Sequence, residues 1–244
     1  MGICRIEIPH RFPSKIVHYG NHRLRLGPYT QATSIPTSIP PALEDLASFL
    51  RQGGCDAEAV LDMQPMRWFK LLWNGSFSPV SVLAGQATAG AMLRDAPVRE
   101  LVRAMMDEIW AAGEAVLGRK FPESVGTVDG LMDATARVGE YRASMLIDWE
   151  EGRAMEVDVL LARPIAMAKA AGVAMPRLET VYALIRLAEE RRFAALATKI
   201  AHVEHKVEGE RKVEGGDKRC GWSHPGISSH NEAAPDPSRA VGPL

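Results

Sequence analysis

The stretch Trp68-Phe69-Lys70-Leu71-Leu72-Trp73-Asn74-Gly75-Ser76-Phe77-Ser78-Pro79 governs how the rest of the chain is read. It falls inside a candidate helix spanning Pro65–Leu83, in which Lys70, Asn74 and Ser78 stand at i, i+4 and i+8. One helix face would therefore present an ammonium, an amide and a hydroxyl in line. The residues around them are bulky and apolar. An ammonium among aromatic side chains loses hydration, which suits it to give up a proton near neutral pH. The plain alternative is a lysine that snorkels to solvent from a core helix. Pro79 disfavours helical backbone at Ser78, so the third group is expected at a kink.

Outward from that segment the chain reads as helix after helix: Val98–Leu117, Val125–Arg137, Arg153–Ala171 and Pro176–Arg192. On the N-terminal side, Leu43, Leu46, Phe49 and Leu50 have helical spacing after Pro41, and Gly53-Gly54 supplies the stop. That helix is expected to pack one face inward. Before it, Ser, Thr, Pro36, Pro40 and Pro41 mark a linker over 30–41. Earlier still, Lys15–Tyr19 and His22–Leu26 are short alternating runs about Gly20-Asn21, which predicts a β-hairpin. From His202 onward apolar periodicity is lost and Lys-Val-Glu-Gly repeats at Lys206 and Lys212, so the end is expected to be disordered.

Composition excludes several classes. The chain has 244 residues and 46% hydrophobic content, enough for a sizeable core, and 29 Lys plus Arg nearly balance 30 Asp plus Glu. Without a strong field of either sign, nucleic acid and membrane surfaces are not expected partners. The longest apolar stretch, Val157–Met175, is broken by Asp158, Arg163, Pro164 and Lys169 and is not expected to cross a bilayer. Cys4, Cys55 and Cys220 are odd in number and far apart, which points to a reducing, cytoplasmic setting. No metal site is expected, because His202-x-x-His205 lacks completing ligands.

A second segment runs from Ser144 to Asp158. Ser144 reads as the N-cap of a short helical turn ended by Gly152, with a new helix starting near Arg153 and Glu156 in its first turn. Taken with the first segment, it resembles the C-terminal domain of the ketopantoate reductase family. The pattern of that family is Lys-x-x-x-Asn on a helix, then Ser-Met-x-x-Asp, then a Glu twelve residues after the Ser. The matches are Lys70 with Asn74, Ser144-Met145 with Asp148, and Glu156 before Asp158. Gly172–Pro176 and Tyr182–Ile185 resemble the family's last helices.

The resemblance implies a mainly α fold: a helical bundle like the C-terminal domain of 6-phosphogluconate dehydrogenase, preceded by a short β-hairpin remnant. The implied organisation is a remnant of a dinucleotide-binding domain over 1–29, a linker over 30–41, the helical domain over 42–201 and a tail over 202–244. It also implies roles. Lys70 would be the general acid that protonates a ketone oxygen, with Glu156 placing substrate and lysine. Asn74, Ser78 and Ser144 would hold the substrate. Lys70, Asn74, Ser144 and Glu156 are expected to line one cleft. The implied reaction is the NADPH-dependent reduction of 2-dehydropantoate or a related 2-keto acid, and the fold allows a homodimer.

The sequence departs from the family at three places. Ser78 stands where a second Asn is frequent, Thr88 replaces another polar contact, and Pro164 should kink the helix that carries Glu156. No Gly-x-Gly-x-x-Gly occurs, so no cofactor-binding residue is named. Gly85–Gly90 reads as a loop rather than a phosphate cradle. The expectation is a chain that begins within the dinucleotide-binding domain and is inactive alone. The alternative is a non-catalytic helical module for dimerisation or partner binding.

Overall fold

The computed structural model describes residues 6–7, 17–18, 23–29 and 35–214. By internal contacts the chain divides into Met1–Ala194 and Ala195–Leu244. Helix α2 (Gln64–Leu83) organises the larger unit, because α3 (Ala89–Arg94), α4 (Ala96–Leu117) and α6 (Ser144–Glu150) all pack on it. Trp68, Leu72 and Phe77 of α2 meet Val102, Met105 and Ile109 of α4 and Met145 and Leu146 of α6 in one buried cluster. Small residues let the two long helices approach. A Cβ on Gly75 would lie 2.9 Å from Ile109 Cδ1, and one on Gly113 would lie 2.9 Å from Trp68 Cδ2. Only glycine leaves room at such crossings.

The remaining helical elements are a 3-10 turn (Glu123–Val125), α5 (Val128–Val138), a π-helical turn (Asp158–Ala162), α7 (Arg163–Ala170) and α8 (Pro176–Glu214). Predicted helix boundaries shift where caps decide them. Asp95 accepts from Val98 N–H at 3.0 Å, so α4 starts ahead of Val98. Thr127 caps α5 in the same way through Gly130 N–H.

Two expectations are corrected at the N-terminal side. The hairpin about Gly20-Asn21 does not form between its flanking strands. Instead β1 (Ile6–Glu7) pairs antiparallel with β2 (Val17–His18), and β3 (Arg23–Leu26) pairs parallel with β4 (Asp56–Ala59). The Gly20-Asn21 turn itself lies outside the described residues. Parallel pairing needs a crossover, and α1 (Pro41–Gln52) supplies it. Alternation shows that a segment is extended but not which neighbour it chooses. The partner, Asp-Ala-Glu-Ala, is built from residues depleted in strands, so it gave no signal of its own. The Arg25 guanidinium meets the Glu58 carboxylate at 3.3 Å in matched register.

The second correction concerns α1. Pro41 and Gly53 bound it as expected, but its fully buried residue is Ala47, while Leu46 and Phe49 are 43% and 71% exposed. The apolar face is therefore only partly turned inward.

Helix α8 also runs further than apolar periodicity suggests. It passes through 202–214, where disorder was expected, while 215–244 lie outside the described residues. Loss of an apolar stripe removes a packing face, not the helical preference of Glu, Lys and Arg. Among the described residues, no helix is long and apolar enough to cross a membrane.

Candidate functional site

Lys70 and Asn74 sit one turn apart on α2 and are both half-buried. Aromatic contacts brace the helix on either side of them. Phe69 meets Trp110 edge-on with ring centroids 6.4 Å apart, and Trp73 stacks on Phe77 at 5.3 Å. The Trp73 indole N–H donates to Thr135 Oγ at 3.1 Å, which fixes the ring ahead of Asn74.

Ser78 does not continue this line to solvent. It is fully buried, and its hydroxyl has no partner among the described residues. Helix geometry explains the difference: a step of four residues overshoots one turn by about 40°, so Ser78 is rotated by about 80° from Lys70. Pro79 does not end the helix either, as α2 continues to Leu83. The Ser81 hydroxyl donates to the Ser78 carbonyl at 2.7 Å, and the Ser76 hydroxyl donates to the Leu72 carbonyl at 2.5 Å. Hydroxyls thus back-bond the stretch that proline interrupts.

Ser144 is the first residue of α6, not its cap. Ala143 occupies the cap position, and the exposed Ser144 hydroxyl caps nothing. The helix expected near Arg153 starts later, because residues 153–156 have no regular secondary structure and Val157 begins the helical backbone. Glu156 is exposed immediately before that start, and its carbonyl accepts from Leu160 N–H at 3.0 Å. The Pro164 kink is resolved by a change of register. Arg163 N–H reaches the Asp158 carbonyl across a π turn, and α7 begins with Pro164 in its first turn, where a missing N–H leaves nothing unsatisfied.

Packing gathers these groups about one helix. Both α6 and the π turn pack against α2, and the missing Cβ of Gly75 would lie 3.6 Å from the Leu160 carbonyl. The elements that carry Ser144 and Glu156 are thereby brought to the helix that carries Lys70 and Asn74.

Among the described residues, the side chains of Lys70, Asn74, Ser144 and Glu156 form no hydrogen bond or ion pair. Some charges near them are paired, Asp148 with Arg153 at 2.7 Å, Glu150 with Arg142 and Glu151 with Arg153, whereas Arg67, Asp158 and Arg163 have no ion pair among the described residues. Thr88, the departure from the family pattern, is also committed. It caps α3 through Ala91 N–H and donates its hydroxyl to Glu140. Arg94 and then Thr88 hold the Glu140 carboxyl below the ordinary glutamate value.

The residues that sequence reasoning missed lie on α8. Glu189 Oε1 accepts from Met155 N–H at 2.6 Å, and Arg192 donates to the Arg153 carbonyl at 3.3 Å. The Arg192 guanidinium also lies 4.6 Å from the Trp149 ring centroid. No local pattern could reveal them, since each contact joins residues more than thirty apart.

A family model described as "Ketopantoate reductase PanE/ApbA C terminal" matches residues 62–189. The 2-dehydropantoate 2-reductase of Mesorhizobium japonicum is 36% identical over 180 residues, covering 73% of this chain and 52% of that protein. The enzyme of the same name from a Nostoc species is 28% identical over 190 residues, covering 78% of this chain and 58% of that protein. The crystal structure of 2-dehydropantoate 2-reductase from Methylococcus capsulatus superposes with a TM-score of 0.66 at 34% identity, covering 78% of this chain and 58% of that one. The chain therefore spans little more than half the length of these relatives.

Proposed function

The chain belongs to the ketopantoate reductase family by its C-terminal helical domain, and on that premise we propose that it provides the substrate-binding and proton-donating half of a 2-keto acid reductase. The substrate class is 2-dehydropantoate or a related 2-keto acid, and the implied reductant is NADPH. The observation that carries this reading is that Lys70, Asn74, Ser144 and Glu156, polar groups without internal partners among the described residues, stand on or beside segments packed about α2. Polar groups left without internal partners can bind a ligand at little rearrangement cost.

The chemistry assigned to these side chains follows from their type. As a carbonyl is reduced, its oxygen gains negative charge, and the Lys70 ammonium stabilises that charge and then donates its proton. Asn74 and Ser144 offer an amide and a hydroxyl to the substrate's carboxylate and hydroxyl groups. Glu156 accepts a substrate hydroxyl proton or the Lys70 ammonium and so orients both. Ser78 is left out of this set because its hydroxyl is buried.

NADPH would supply the hydride, and the described residues do not fit its pyrophosphate. Their parallel strand-helix-strand unit, β3–α1–β4, enters its helix at Pro40 and Pro41, without a glycine-rich turn or a side-chain cap. A dinucleotide site needs free backbone N–H groups there, and proline has none. The proposal is therefore confined to substrate binding and proton donation.

Titration calorimetry of the full chain with 2-dehydropantoate tests it. Saturable binding is expected, weakened about tenfold by Asn74→Ala or Ser144→Ala, as for loss of a hydrogen bond to a charged group. Absence of saturable binding, or binding indifferent to both substitutions, would overturn the assignment.

A further inference from the structure

We propose that Glu189 and Arg192 of α8 are positioning residues that set the location of Glu156, an inference that rests on the site reading above. Glu156 lies on a stretch without regular secondary structure, 153–156, between the end of α6 and the π turn. Such a stretch has no helical ladder to hold it, so a side chain there is only as well placed as its neighbours' backbone groups are tethered.

The tethers come from α8. Met155 N–H, the donor immediately before Glu156, is satisfied by the Glu189 carboxylate at 2.6 Å. The Arg153 carbonyl, three residues before Glu156, accepts from Arg192 at 3.3 Å, and the same guanidinium covers the Trp149 ring of α6 at 4.6 Å. From the other side, the Glu156 carbonyl is held by Leu160 N–H at 3.0 Å. The backbone is thus fixed before and after Glu156 while its own carboxylate stays unpaired among the described residues.

Charge explains why an acid serves at 189. A carboxylate accepting a backbone N–H makes a charge-assisted bond, stronger and shorter than a neutral one. Glu189 is half-buried, which limits competition from water, and Met155 beneath it is buried in the core cluster. Glu189 and Arg192 are one helical turn apart, so a single face of α8 grips the stretch at two points. Neither touches the four candidate ligand-binding side chains, which makes their effect indirect.

A double-mutant cycle on the full chain tests the coupling, with 2-dehydropantoate titration as the readout. Glu189→Ala is expected to weaken binding about tenfold in the natural background and to have no further effect once Glu156→Gln is present. Glu189→Gln keeps a carbonyl acceptor for Met155 N–H and should restore most of the affinity. Hydrogen exchange at the Met155 amide gives a reading independent of ligand: faster in Glu189→Ala, near natural in Glu189→Gln. Equal weakening by Glu189→Ala in both backgrounds, or unchanged Met155 exchange, would overturn the positioning role while leaving the site intact. If Glu156→Gln itself leaves binding unaltered, the assignment of Glu156 falls, and the positioning role falls with it.

Discussion

The helical region from α2 through α7 buries most of its large apolar side chains in one cluster, with Val138 and Val159 among the exceptions, whereas the β3–α1–β4 unit buries only Ala47 of α1 and leaves Leu46 and Phe49 substantially exposed. The difference is one of layers. Helices α2, α4 and α6 each present an apolar stripe to a shared cluster, so the region closes its own core. A parallel strand pair needs cover on both faces, and its crossover helix needs a sheet broad enough to receive its whole stripe. Two four-residue strands receive only the Ala47 side of α1. The lesson is that stability and candidate chemistry both reside in the helical region, and that the strand unit contributes less to either.

The sharpest way to break this comparison is to hollow out the helical core. Phe77→Ala removes a fully buried ring stacked on Trp73, and a loss of about 3–5 kcal/mol is expected in denaturant unfolding. A loss below about 1 kcal/mol would show that α2 does not anchor the fold.

A smaller effect is expected from the exposed ion pair that ties α3 to the segment before α6. Arg94 and Thr88 lower the folded value for Glu140 beneath its ordinary 4.5. The ionised form therefore favours the fold: its contribution is complete above the unfolded value and is lost as pH falls through the folded one. Glu140→Gln should lower stability at pH 7 slightly and flatten that part of the acid limb by the same small amount, small because the pair is solvent-exposed and screened. An unchanged acid limb would show that the pairing does not persist in solution.

The smallest effect is expected at α1. Phe49→Ser should alter stability by no more than about 0.5 kcal/mol, since the ring is 71% exposed. A loss of about 2 kcal/mol would mean that the α1 face is covered in solution, and the contrast between the regions would have to be redrawn.

Much of the helical architecture was legible because helices are local. Spacing placed α2 within a residue of its observed start, and Pro and Gly marked both ends of α1. Lys70, Asn74, Ser144 and Glu156 were named from sequence by their family-like separations, and their place in a site is the proposal made above. The choice of strand partner for Arg23–Leu26 was not, because it depends on a segment with weak strand character brought alongside by a crossover helix.

What the amino-acid sequence determined by itself was the broad succession of helices and the Pro and Gly bounds of α1, which rest on interactions within a few residues. What only the tertiary structure decided was exposure and tethering. Ser78 is turned into the core by the drift of a helix that steps 3.6 residues per turn. Ser144 yields the cap position to Ala143, and Pro164 follows directly on a π turn. The backbone before Glu156 is held by Glu189 and Arg192, which reach Met155 N–H and the Arg153 carbonyl only once α8 lies beside that stretch. Such contacts join distant parts of the chain, and no periodicity encodes them, because their geometry exists only after the helices have packed.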